Sequence, residues 1–165
     1  MRQTQPLPQT PKNFIQSVTI IHLALALGQV LFIAVCLFLT QSTAINITDT
    51  SEIFLIIVPV MTTSLFFISS YLYNKQLAAG ADGDLKKKAL NYQTALIIRL
   101  ALLEGPSLLS IVAYLLTGNF LYIIVSGVII LYFLYIRPSK ANVLDAMELT
   151  YEQKLQFDKA DEVMQ

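Results

Sequence analysis

Four apolar stretches, near residues 16–40, 53–73, 92–117 and 120–136, dominate the chain. A hydrocarbon core of about 30 Å takes roughly 20 helical residues to cross, and each stretch approaches that length. Inside such a core no water is present to satisfy backbone N–H and C=O groups, so a spanning segment must close its hydrogen bonds internally, as a helix. The whole sequence agrees: of 165 residues, 55% are hydrophobic and 13% charged, which is too apolar for an ordinary soluble domain. The leading "MRQTQPLPQTPKN" holds three prolines and little apolar surface, and reads as a disordered tail over residues 1–14. Residues 15–137 then form one transmembrane domain, and residues 138–165 a helical tail. The expected fold is an all-α integral membrane protein: four transmembrane helices as two tandem hairpins, plus a cytoplasmic amphipathic C-terminal helical tail.

Orientation follows from the basic residues. Arg2 and Lys12 precede the first helix, Lys75, Lys86, Lys87 and Lys88 lie between the second and third, and Arg137, Lys140, Lys154 and Lys159 follow the fourth. Ten of the eleven basic side chains therefore fall on one face, which the positive-inside rule makes cytoplasmic, with both termini inside. The expected compartment is the plasma or inner membrane of a prokaryote. With a formal net charge of zero and its charges confined to the tails and one connection, the chain offers no basic surface to nucleic acid. Its single cysteine, Cys36, has no second thiol to pair with, and one cysteine and one histidine give no metal-ligand spacing. No nucleophile with a base and no phosphate loop is present either, so neither an enzyme nor a cofactor is expected.

Residues 20–40, "IIHLALALGQVLFIAVCLFLT", laid over 97–117, "IIRLALLEGPSLLSIVAYLLT", are identical at ten of twenty-one positions without a gap. Leucine identities count for little, but Ala24 matches Ala101 and Gly28 matches Gly105. This reads as a duplicated hairpin, with helices one and three running the same way. In both helices Ala-x-x-x-Gly sets two small residues one turn apart on one face, which predicts that helices one and three touch there. The "GN" connection makes helices three and four antiparallel neighbours. Tyr71, Tyr73, Tyr122, Tyr132 and Tyr135 lie towards helix ends as depth anchors, not as aromatics converging at one level.

Beyond Pro138, Leu144, Met147, Tyr151 and Leu155 recur at helical spacing beside acidic residues, which predicts a helix packed on its own bundle or on a partner protein. Thr150 and Gln153 have the spacing of a capping box, and Asp82 or Asp84 that of an N-cap for the third helix. The expected partners are the lipid bilayer and a second copy or another membrane protein, the latter through residues 140–160.

The residues that carry chemistry sit in "RLALLEGPSLL", 99–109. Arg99 is shallow enough for its long side chain to reach the headgroups, and His22, at the matching place in helix one, is an interfacial residue or a member of a proton relay. Glu104 falls near the midplane, where a short side chain reaches water on neither side and an acidic group costs roughly 2.5–3.5 kcal/mol on insertion scales. Pro106 removes a backbone donor and Gly105 a side chain at the same level, which predicts a kink. Polar groups at similar depth that would answer the carboxyl are Gln29, Thr62, Thr63, Ser64 and Ser126. Two roles follow for Glu104: a neutral hydrogen-bonded lock between helices, or a proton or cation site.

"LALLEGPSLLSIVAYLL", residues 100–116, resembles the carboxylate-bearing helix of rotary ATPase proteolipids, the c subunits, in which Ala-Leu-x-Glu precedes small residues and an apolar run. Larger members of that family are tandem hairpins too, and the resemblance implies that Glu104 is the ion-carrying carboxylate. The expected function is that of a non-enzymatic accessory, assembly or structural membrane component; the alternative is proton- or cation-coupled transport through Glu104.

Overall fold

The structure, a computed structural model, describes residues 10–47 and 52–159 together with Asp161 and Met164. Among the described residues six helices follow one another: α1 (Pro11–Thr40), α2 (Phe54–Ala78), α3 (Leu85–Thr117), α4 (Leu121–Tyr135), α5 (Lys140–Met147) and α6 (Tyr151–Asp158). The first nine residues of the expected tail lie outside the described residues. Residues 11–14 do not belong to a tail, because Thr10 accepts from the Asn13 N–H and Pro11 opens α1 in the first turn, where its missing N–H costs nothing.

α1, α2 and α3 are each long and apolar enough to cross a membrane, and α4 joined to α5 would add a fourth. α4 by itself has 15 residues, about 22 Å, and the chain turns through 78° before α5. α3 begins seven residues before the expected 92, at the Asp84 N-cap, and runs unbroken through Pro106 for 33 residues, about 50 Å. Hydropathy marks only the apolar part of that helix. Its first two turns are held instead by packing, with Leu85, Ala89 and Tyr92 buried against Phe14, Val143, Met147 and Phe157.

α3 is the hub, and α2, α4 and α1 all pack on it. The expected first hairpin does not close, because α1 and α2 are not packed on one another and each lies against α3 instead. The thirteen-residue connection from Gln41 to Ile53 is long enough to permit this, whereas the three-residue turn at Gly118, Asn119 and Phe120 holds α3 and α4 side by side. Gly118 adopts φ of +70° as the C-cap of α3, a conformation that favours glycine.

The tail folds back on the bundle. A break at Glu148, in the left-handed region with φ of 45°, and a complete capping box between Thr150 and Gln153 divide it into α5 and α6. Lys88 Nζ donates to the Glu148 carbonyl at 3.0 Å and so satisfies a carbonyl left free at that break. Because the tail is two helices rather than one, its buried face is Val143, Met147, Leu149 and Phe157; the expected Tyr151 and Leu155 are exposed.

Candidate functional site

α3 presents two faces. Leu96, Leu100, Leu103, Ser107, Ser110 and Tyr114 are buried against the other helices, while Ile97, Ala101, Gly105 and Leu116 on the opposite side are exposed. Glu104 lies at the edge of the outer stripe and is half-buried. Its carboxyl makes no hydrogen bond and no ion pair among the described residues. Thirteen residues, about 20 Å, separate it from the α3 terminus at Thr117. The expected seam between helices one and three is corrected. Ala24 and Gly28 on α1 are exposed like Ala101 and Gly105 on α3, and a Cβ built at either glycine meets nothing within 4 Å. At 100° per residue those positions turn away from the Val18, His22, Ala26 and Gln29 face that α1 buries, so the small residues leave the outer surface of both helices smooth.

The groups expected to answer Glu104 are engaged elsewhere or with nothing. Ser126 on α4 pairs with Ser107 on α3 at 2.8 Å, buried, and Ser110 donates to the Pro106 carbonyl at 2.9 Å. Gln29 is fully buried, and neither its amide nitrogen nor its amide oxygen has a partner. The Thr62 hydroxyl is likewise buried and unpartnered, and Thr63 and Ser64 are exposed. Gln29, Ser107 and Ser126 form a polar waist that separates two apolar cores, one around Leu100 and Phe133, the other around Ile111, Tyr114 and Tyr122. Sequence reasoning missed Ser107 and Ser110, although they continue the 100, 103, 107, 110, 114 spacing of the buried seam.

His22 is buried within the bundle. Its Nε2–H donates to the Phe133 carbonyl at 2.8 Å, and its ring stacks on Phe133 with centroids 5.0 Å apart. Phe133 lies in the last turn of α4, where carbonyls lose their intrahelical donors, so His22 caps that helix end.

The tyrosines around Arg99 depart furthest from expectation. The guanidinium stays inside the bundle end, 4.8 Å from the Tyr73 ring centroid and 5.8 Å from that of Tyr132, and donates to the Tyr132 hydroxyl. Tyr73, Tyr92, Tyr132 and Tyr135 converge around it from α2, α3 and α4. Linear order hides this, because antiparallel helices bring the end of α2 and the end of α4 to the level of residues 92–99 on α3. At the other end Asn119, which the sequence reading passed over, ties the α1–α2 connection to the α3–α4 turn. Its Oδ1 accepts from the Asn46 and Leu121 N–H groups, each at 3.2 Å, and its Nδ2 donates to the Asn46 carbonyl at 2.6 Å and to Glu52 at 3.2 Å.

The fold and this arrangement define an all-α protein of the integral membrane class, with three to four helices suited to crossing a bilayer and a charged residue set among them. No family model, no curated protein and no solved structure matches the chain.

Proposed function

We propose that the chain is a non-enzymatic accessory or assembly component of a membrane complex, whose outer α3 stripe around Glu104 packs against a transmembrane helix of another protein or of a second copy. One observation carries this reading: Glu104 is half-buried and unbonded on a smooth apolar surface, where a carboxyl facing lipid costs roughly 2.5–3.5 kcal/mol unless a neighbour answers it. Ala101 and Gly105 leave room for that neighbour's backbone to come close. In this reading α4 is a short fourth span, both termini and the α5–α6 tail are cytoplasmic, and the two helix pairs descend from one duplicated hairpin. In support of the duplication, Ala26 and Leu103, Gln29 and Pro106, and Cys36 and Ala113 occupy equivalent positions and are all buried.

A photo-crosslinking residue introduced at Ala101 is expected to give a discrete protein adduct in native membranes, abolished by Glu104→Leu, while one at Phe67 on the exposed side of α2 gives none. Adducts to lipid alone at Ala101 would overturn the assembly reading. Topology has a separate test. A cysteine replacing Thr43, exposed in the α1–α2 connection, is expected to react with an impermeant thiol reagent on intact cells, and one replacing exposed Ala81 only after lysis; the native Cys36 is buried and stays silent. The reverse pattern would invert the orientation.

A second reading, translocation of protons or cations by Glu104, is favoured by the lack of any hydrogen bond that would hold the carboxyl in one protonation state. It requires that Glu104→Gln abolish a flux measured in proteoliposomes.

A further inference from the structure

A pocket of about 410 Å³ surrounds Arg99, which lies within the range of roughly 300–1,000 Å³ usual for small-ligand sites. Tyr73 of α2, Tyr92 of α3, Tyr132 and Tyr135 of α4 and Asn142 of α5 line it beside the arginine. Four separate elements thus build one site, and it is distinct from the Glu104 face. The rings of Tyr73 and Tyr132 hold the guanidinium by cation–π contact, which leaves its N–H edge as the part free to bind. A guanidinium has five N–H donors. One of these groups, Nη2, serves the Tyr132 hydroxyl, while Nε is buried and has no acceptor.

The charge is uncompensated as well. No carboxylate lines the pocket, and Arg99 makes no ion pair among the described residues. The hydroxyls of Tyr73 and Tyr92, two further donors, reach no protein acceptor among the described residues. A cation held this way, amid donors that lack acceptors, is matched by an anion with several oxygens. The planar fork of arginine suits the oxygens of a phosphate, which it binds in bidentate fashion. Depth points the same way: Tyr92 in the pocket wall lies twelve residues before Glu104, about 18 Å along α3, just beyond half of a hydrocarbon core of about 30 Å centred on Glu104. The pocket therefore opens at the level where bilayer phosphates lie.

We propose that this pocket binds a phosphate group through Arg99, Tyr73 and Tyr92, the phosphate being presented either by a phospholipid headgroup or by a soluble phosphate. The test uses the full chain, delipidated in a maltoside detergent, with native mass spectrometry and thermal unfolding as readouts. One arm titrates inorganic phosphate against chloride at constant ionic strength. The other titrates dioleoylphosphatidylglycerol, with dioleoylglycerol as the lipid that lacks the phosphate. A saturable one-to-one complex and a raised melting temperature are expected in at least one arm, and none with dioleoylglycerol. Binding of phosphatidylglycerol alone identifies the bilayer as the source, and binding of inorganic phosphate identifies a soluble ligand. Arg99→Gln is expected to weaken the complex about tenfold or more, the scale of one charge-assisted pair. Tyr92→Phe keeps the ring and the packing while removing one donor, and is expected to weaken it several-fold, so the site stays testable if the arginine variant does not fold. Arg137→Gln, outside the pocket wall, is expected to leave binding unchanged. Failure of both arms to saturate, or wild-type affinity in Tyr92→Phe and in any folded Arg99→Gln protein, would overturn the proposal.

Discussion

Glu104→Leu is expected to improve insertion of the α3 segment by about 3 kcal/mol in a translocon assay while leaving the thermal stability of the purified protein unchanged. The first effect is the difference between an acidic residue and leucine near the centre of a membrane helix, roughly 2.5–3.5 against −0.3 to −0.6 kcal/mol. The second follows from the environment of the side chain. Glu104 makes no hydrogen bond or ion pair and lies at the edge of the outer stripe of α3, so its removal strands no buried partner. A hydrogen-bonded lock would behave in the opposite way, because deleting the carboxyl would leave its partners unpaired at about 1–3 kcal/mol each. A fall of several degrees in melting temperature would therefore contradict the outward placement of Glu104. The same variant is expected to lose the protein adduct at Ala101, which separates assembly from folding in one protein. Glu104→Gln completes the comparison: it keeps the shape and a neutral hydrogen-bonding group, so it preserves assembly and abolishes only a proton-coupled flux.

A second large effect is expected at the opposite end of the bundle. Asn119 is buried and joins four groups, the N–H and carbonyl of Asn46, the N–H of Leu121 and the Glu52 carboxyl. Asn119→Ala removes four hydrogen bonds at once, each worth about 0.5–1.5 kcal/mol net. A loss of about 3 kcal/mol or more is expected, read as a fall in melting temperature of roughly 6–12 °C for a chain of this size. Thr43→Ala, exposed in the same connection, is expected to stay within about 0.5 kcal/mol of wild type. If Asn119→Ala cost less than about 1 kcal/mol, the connection would not be held by this residue. The effect is large because α1 and α2 are not packed on one another: the α1–α2 connection is fastened to the α3–α4 turn through Asn119, Ser42 and Tyr114.

The helices were legible where the physics is local. An apolar run, a cap for α3 at Asp82 or Asp84, of which Asp84 serves, and the Thr150–Gln153 capping box each depend on residues a few positions apart. The start of α3 was not legible, because Leu85, Ala89 and Tyr92 are helical by virtue of packing with Phe14 and Phe157, each more than sixty residues away. Ala24, Gly28, Ala101 and Gly105 show the limit from the other side. Small residues one turn apart permit close approach, but sequence does not say whether the surface that approaches belongs to the same chain, and here these positions face outward.

Composition and periodicity by themselves determined that the chain is helical and built around membrane-length apolar segments, because hydrocarbon leaves a backbone no other way to satisfy its polar groups within one segment. They also singled out Glu104, since a carboxyl in such a segment is conspicuous whatever surrounds it. Only the tertiary structure decided that α3 is the hub, that His22 caps α4, that Glu104 lies unbonded on the outer stripe, and that four tyrosines meet around Arg99. Each of these depends on the rotation and height of one helix against another, and those are set by the summed packing of residues far apart in the chain rather than by any short run of sequence.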